Sequence, residues 1–379
     1  MTKAAIYLDH NAASPLLPEA RAALVDALEF TGNASSVHGH GRALRNLVEA
    51  ARGQVAGLAG AERKQVVFTG SATEAITQAI VGGAKAFAAG TVVVSAAEHA
   101  AVSKAAEATG LPVVTLSVLP SGHIDLDQLA EIVAGAEDNL LVALHWVNNE
   151  TGVVQDLARI NAIVGPTRHT LFIDAVQAFG KLDMDFAASA PDMMAVSGHK
   201  IGSPAGIGAL LVKSHADVVR LIPGGGQEQG RRGGTEAVAL IAAFGAAASA
   251  FPARYAAADV LRLVRRLEDD LRNGVPELVV FGENRLGNVS NFAVPGIKNA
   301  TAMMALDLAG LSVSSGSACS SGKVGLSHVL AAMGVAHQLA ECALRISLGW
   351  NSTADDVDAF VAGYRSILER HRARQGQAA

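Results

Sequence analysis

The sequence predicts an α/β protein, with a large domain built on a mainly parallel seven-stranded sheet and a smaller α/β domain. Between Ala50 and Val212, short β-branched runs alternate with alanine-rich helical stretches. Continuous apolar strands separated by helices are the pattern of a parallel sheet covered on both faces. After Gly224-Gly225-Gly226 the pattern changes to a mixture of longer helices and scattered strands. A chain of 379 residues, at roughly 150 per domain, is also long enough for about two domains. Residues 15–254 are expected to form the large domain, and residues 1–14 with 255–379 the small one.

The seven expected strands are Val66–Thr69, Thr91–Ser95, Val113–Ser117, Leu140–Val147, Thr170–Asp174, Met193–Ser197 and Gly208–Val212. Helices are expected between them, at Ala72–Ala88, Val102–Thr109 and Leu126–Ala134. The second part reads as a helical region from Glu236 to Asp270, then Leu278–Phe281, Asn288–Val294, a helix near Ala302–Leu308 and Leu311–Ser314. A strand at Ala343–Leu348 and a last helix from Thr353 to Glu369 complete it. In open parallel sheets ligands bind outside the carboxyl ends of the strands, so the residues just after each strand carry the search for a site.

Composition narrows the function. Half of the residues are hydrophobic and 17% are charged, against ~25% in an average soluble domain, which excludes disorder as the main state. The net charge is −5, with no basic block, so a nucleic-acid partner is not expected. The uncharged run Ala237–Ala253 is mostly alanine and is interrupted by Gly245 and Pro252, so it reads as a buried helix rather than a membrane span. Asp9 and His10 precede any apolar stretch that a signal peptide would need. The two cysteines, Cys319 and Cys342, form no CxxC motif or disulfide framework, and a cytoplasmic location is expected. His38-Gly39-His40 lacks a neighbouring set of ligands, so no metal is expected.

Four segments carry chemistry. In Thr69-Gly70-Ser71-Ala72-Thr73-Glu74, a strand runs into a helix, and Ser71 with Glu74 has the spacing of a capping box. The exposed N–H groups there form a positive helix end suited to phosphate. Asp174 ends an apolar strand, where an acid is costly unless paired, and Ser197-Gly198-His199-Lys200 follows another. A carboxylate for a pyridinium nitrogen and a lysine for a Schiff base are what pyridoxal phosphate requires, although a buried Asp–Lys pair fits the same residues. His99 and Asn149 follow two further strands; His99 is suited to stacking on an aromatic cofactor and moving protons, Asn149 to bonding a phenolic oxygen. In Ser314-Ser315-Gly316-Ser317-Ala318-Cys319-Ser320-Ser321-Gly322 a cysteine sits among small polar residues, as a reactive thiol does, whereas Cys342 lies in an apolar stretch and reads as core. Arg345 suits either a substrate carboxylate or a structural salt bridge.

In order and spacing, Tyr7-Leu8-Asp9-His10-Asn11-Ala12, the Val147–Asp156 segment, Ser197–Lys200, Ser314–Cys319 and Arg345–Gly349 resemble the cysteine desulfurases of the NifS/IscS type, class V aminotransferases with the pyridoxal-phosphate transferase fold type I. The resemblance implies a cysteine desulfurase that converts L-cysteine to L-alanine and passes sulfur, as a persulfide on Cys319, to an acceptor such as an Fe–S scaffold or sulfur shuttle. It implies that Lys200 is the covalent anchor of pyridoxal 5'-phosphate and that Asp174 pairs with the ring nitrogen. Gln177 and Asn149 would lie near the phenolic oxygen, and His99 over the ring as a proton partner. Thr73, Ser197 and His199, with Ser71 and Ala72 at the helix start, would hold the phosphate, and Thr235 would reach in from the partner of a homodimer. Arg345, with Asn149, would bind the substrate carboxylate. Where the family has S-G-A-T-E, this chain has Gly70-Ser71-Ala72-Thr73-Glu74. Selenocysteine lyase and another class V aminotransferase are the alternatives; the latter has no use for Cys319.

Overall fold

The structure is a computed structural model that describes residues 5–316 and 326–378. Its strands are β1 (Ile6–Tyr7), β2 (Val66–Thr69), β3 (Thr91–Ser95), β4 (Val113–Leu116), β5 (Leu140–His145), β6 (Thr170–Asp174), β7 (Met193–Ser197), β8 (Gly208–Val212), β9 (Val279–Val280), β10 (Val289–Ala293), β11 (Leu311–Ser312) and β12 (Ala343–Ser347). A seven-stranded sheet has the order β2-β8-β7-β6-β5-β3-β4. The pairs from β4 to β7 are parallel, while β8 runs antiparallel to both β7 and β2.

Alternation along these strands explains why both faces are covered. Val93, Val142, Leu144, Leu171, Ile173, Met194 and Val196 belong to one apolar cluster. Their neighbours Val92, Val94, Leu141, Ala143, Phe172, Met193 and Ala195 belong to the cluster on the opposite face. Helices Pro18–Leu28, Gly39–Ala59 and Val238–Arg254 pack together on the first face. In Val238–Arg254, Ala243, Gly245, Ala247 and Ala248 are buried, and a Cβ on Gly245 would stand 2.5 Å from the Ala51 Cα, so small residues allow close helix approach. His38 caps the Gly39–Ala59 helix by accepting the Gly41 N–H at 3.2 Å. No single helix among the described residues is long and apolar enough to cross a membrane.

Strands β12, β10 and β9 form a separate antiparallel sheet, and the N-terminal β1 pairs in parallel with β11. An Asp9–Ser347 bridge extends this association, so the N-terminal segment passes between β12 and the ends of the large sheet.

Two expected helices differ. Ala72–Ala88 is an α-helix over Ala72–Thr77, a π-helical turn over Gln78–Gly82 and an α-helical turn over Gly83–Ala86. The wide turn begins at Gln78, whose buried amide donates to the Val219 and Arg231 carbonyls, both at 3.1 Å. Glu236–Asp270 is two helices, Val238–Arg254 and Ala257–Arg272, bent by 67° where Tyr255 and Ala256 leave helical geometry. Leu140–Val147 ends early, at His145, because Val147 turns to bridge Val154.

Candidate active site

Following β3 the chain moves outward to β4, whereas β5, β6 and β7 build in the other direction. The crevice at this reversal lies at the carboxyl ends of β3, β5, β6 and β7, where open α/β sheets bind ligands. Their ends carry His99, Asn149, Asp174 and Lys200. All four line one cavity of about 300 Å³, with Ser71, Ala72, Thr73, Gln177, His199 and Arg345.

Asp174 is buried on the cavity floor, where its Oδ1 accepts the Val176 N–H at 3.0 Å. Burial holds its carboxyl above the ordinary range, with the negative Glu98 adding to the effect and His99 and His145 opposing it. A carboxyl in this position gains from a cationic partner in the cavity. The Lys200 ammonium donates to the carbonyls of Asn11 and Ala12. His199 stands beside it, and burial together with the Lys200 and Lys181 charges lowers its pKa to about 4, so the ring is neutral near pH 7.

His99 caps the helix Ala100–Ala108, and its Nδ1 accepts the Ala101 N–H at 3.1 Å. In the neutral ring the proton therefore resides on Nε2. Asn149 is held in place by its neighbour: Asn148 Oδ1 accepts the N–H groups of Glu150 and Thr151 at 3.0 Å each, and Asn148 Nδ2 donates to the Ala97 carbonyl. This joins the turn after β5 to the segment that carries His99. Arg345, on β12, reaches into the cavity from the small sheet. Its Nη2 donates to Asp9 Oδ1 at 2.7 Å and its Nη1 to the Asn149 carbonyl at 2.9 Å.

At the opposite wall, the Ser71 hydroxyl accepts the Glu74 N–H at 3.1 Å. Half of the expected capping box is present; Glu74 bonds the Gly70 N–H instead of that of Ser71, and Arg232 pairs with its carboxylate. Ser71, Ala72 and Thr73 thus present the start of the helical run to the cavity.

Ser197 and Thr235, the other two residues expected at the phosphate, stand apart from the helix start. Ser197 is fully buried and does not line the cavity; its hydroxyl bonds His199 Nδ1 at 2.8 Å and so orients that ring. Thr235 is exposed, on a separate surface hollow with Glu228 and Arg232, and does not reach the cavity of its own chain. Cys319 lies outside the described residues, whereas Cys342 is buried in an apolar cluster, as expected. Sequence reasoning missed Asn11, Ala12 and His145, which also line the cavity. The Asp9–Ala12 motif contained the first two, but no local pattern announced that their carbonyls meet Lys200.

The residues fit pyridoxal phosphate on their own chemistry: a buried carboxyl in need of a cation, a lysine at a neighbouring strand end, and a helix start with hydroxyl donors surround one cavity.

The model of the class-V aminotransferase family matches residues 6–360. A cysteine desulfurase of Trichormus variabilis is 38% identical over 378 residues, covering 97% of this chain and 94% of that protein. An IscS-like cysteine desulfurase of Mycobacterium tuberculosis is 36% identical, with 97% of each chain covered. The solved structure of a NifS-like protein from Rickettsia africae superposes with a TM-score of 0.87 at 31% identity, covering 96% of this chain and 99% of that one. The strand-end residues and this full-length similarity agree: the chain belongs to the pyridoxal-phosphate-dependent class-V aminotransferase family, in its cysteine desulfurase branch of the NifS/IscS type.

Proposed function

We propose that this chain is a cysteine desulfurase that converts L-cysteine to L-alanine and hands the sulfur on from Cys319. The observation that carries the reading is the single cavity that joins Lys200, Asp174 and His99, from three strand ends of the large sheet, with Arg345 from within β12. Asp174 and Lys200 would hold the ring end of the cofactor, and Ser71, Ala72, Thr73 and His199 its phosphate. When bound, the cofactor supplies an electron sink for charge developing on the substrate.

The protein's own groups supply the rest. Arg345 orients the substrate by its carboxylate, next to the Asn149 carbonyl that fixes the guanidinium. His99, with its neutral-ring proton on Nε2, exchanges a proton with the substrate. The Cys319 thiolate attacks the substrate sulfur; the S–S bond forms as the C–S bond breaks, its electron pair stays with carbon, and a proton completes alanine. One cysteine is consumed and one persulfide made, with no outside oxidant. An acceptor protein, an Fe–S scaffold or sulfur shuttle, then takes the sulfur. The exposed Thr235 supports a homodimer in which it completes the partner's phosphate site. A division at residues 15–254, with 1–14 and 255–379 forming the small domain, and a cytoplasmic location belong to the same reading.

The test is incubation with L-cysteine without reductant, followed by peptide mass spectrometry and alanine analysis. Added sulfur at Cys319, with alanine released in equal amount, is expected. Alanine without sulfur on Cys319 would overturn the persulfide reading, and no alanine would overturn the activity.

A further inference from the structure

We propose that Lys181 is a positioning residue of this site, fixing the Gln177 side-chain amide and laying a second positive charge beside Lys200. The proposal rests on the cofactor reading above.

The two ends of a glutamine amide are alike in shape, so neighbours decide which way it faces. Lys181 Nζ donates to Gln177 Oε1 at 3.2 Å, and Gln177 Nε2 donates to the Asn11 carbonyl at 3.0 Å. An ammonium has only donors and a carbonyl only accepts, so both partners select the same orientation. The reversed amide would put donor against donor at one end and acceptor against acceptor at the other. Gln177 and Asn11 both line the cavity, and the Asn11 carbonyl also accepts from Lys200. One continuous chain therefore runs Lys181, Gln177, Asn11, Lys200.

The backbone holds Lys181 in position. Gly180 has a φ of +73°, and a Cβ there would stand 2.9 Å from the Phe251 ring. Only glycine makes this turn under the Val238–Arg254 helix without strain. The turn returns Lys181 to Gln177, four residues earlier, with its own N–H on the Ala178 carbonyl at 2.9 Å.

The groups that face Lys181 set its charge. Lys200 and His199 follow β7, His10 lies on the N-terminal segment, and Asp183 and Tyr255 line the surface groove that Lys181 shares with them. Burial and then the Lys200 charge lower the Lys181 pKa to about 7, and Lys181 in turn helps to lower His10 and His199 to about 4 each. Up to about pH 7 Lys181 carries its charge, and a cation here disfavours a second proton on the nitrogen of Lys200.

The experiment titrates the visible absorption of holoprotein in the wild type, Lys181→Met and Lys181→Arg, with the pyridoxal phosphate dissociation constant and melting temperature measured alongside. Lys181→Met should move the absorption midpoint up by roughly half to one pH unit, because the nearby cation is gone, and weaken cofactor binding about tenfold. Lys181→Arg, which keeps donor and charge, should restore the midpoint. A Met variant that melts lower but keeps its midpoint within about 0.2 unit would reduce Lys181 to packing and overturn the proposal. A wild-type protein that shows no visible band with pyridoxal phosphate would overturn the cofactor reading, and this one with it.

Discussion

Arg345→Lys separates charge from geometry in substrate recognition. The guanidinium is 2% exposed and spends one N–H on Asp9 Oδ1 at 2.7 Å and one on the Asn149 carbonyl at 2.9 Å. Each terminal nitrogen keeps a second N–H to offer a substrate carboxylate. A lysine ammonium keeps the charge but cannot meet Asp9, Asn149 and a substrate carboxylate from one planar fork. Losing one charge-assisted hydrogen bond to substrate costs about 1.5–3 kcal/mol. At about 1.4 kcal/mol per factor of ten, KM for L-cysteine should rise roughly 10–100-fold, with a smaller change in kcat. Arg345→Gln should also destabilise the fold, by up to about 3–5 kcal/mol, because Asp9 loses its ion-pair partner in a largely buried setting. Initial rates of alanine release across cysteine concentrations, with thermal melting of each variant, provide the measurement. A folded Arg345→Lys enzyme whose KM stays within about twofold of wild type refutes the assignment of the substrate carboxylate to Arg345.

Cys319→Ser should bind cofactor and cysteine yet form no persulfide, whereas Cys342→Ser, in its apolar cluster, should keep the activity and melt slightly lower. Peptide mass spectrometry after cysteine addition distinguishes them. Gly152→Ala should destabilise by about 2–4 kcal/mol, since φ is +78° and the new Cβ would stand 2.1 Å from Val289 Cγ1. The double variant with Val289→Ala should recover the packing part in denaturant melts, and equal stability of single and double variants would exclude the clash. Burial, with Lys181, lowers the His10 pKa from 6.5 to about 4. Between these values the unfolded chain binds a proton that the native ring refuses, so stability rises as pH climbs through the window and is lost on acidification. His10→Asn should flatten that slope in melts between about pH 4.5 and 6.5; an unchanged slope would remove His10 from the effect.

The legible part of the site was the part written at strand ends. Asp174 and Lys200 stand out because an acid and a base directly after apolar strands are costly without a purpose. His99 and Asn149 were found by the same search of strand ends, Gln177 only through the family resemblance, and all five meet in the cavity. Ser197 shows the limit. It occupies a strand end too, but its hydroxyl turns to His199, and strand alternation alone does not reveal that preference.

By itself the sequence determined the seven strands of the large sheet to within two residues, and with them its mainly parallel class. Strands buried on both faces must be continuous apolar runs, and that requirement is local. Only the tertiary structure decided the order that reverses between β3 and β5, and hence where the crevice opens. It also brought Asp9, Asn11 and Ala12 across to Arg345 and Lys200, set β12 beside the N-terminal segment, and put Lys181 behind Gln177. Hydrogen-bonding partners distant in sequence are chosen by which carbonyls and carboxylates come within about 3 Å after packing. No periodicity along the chain records that outcome.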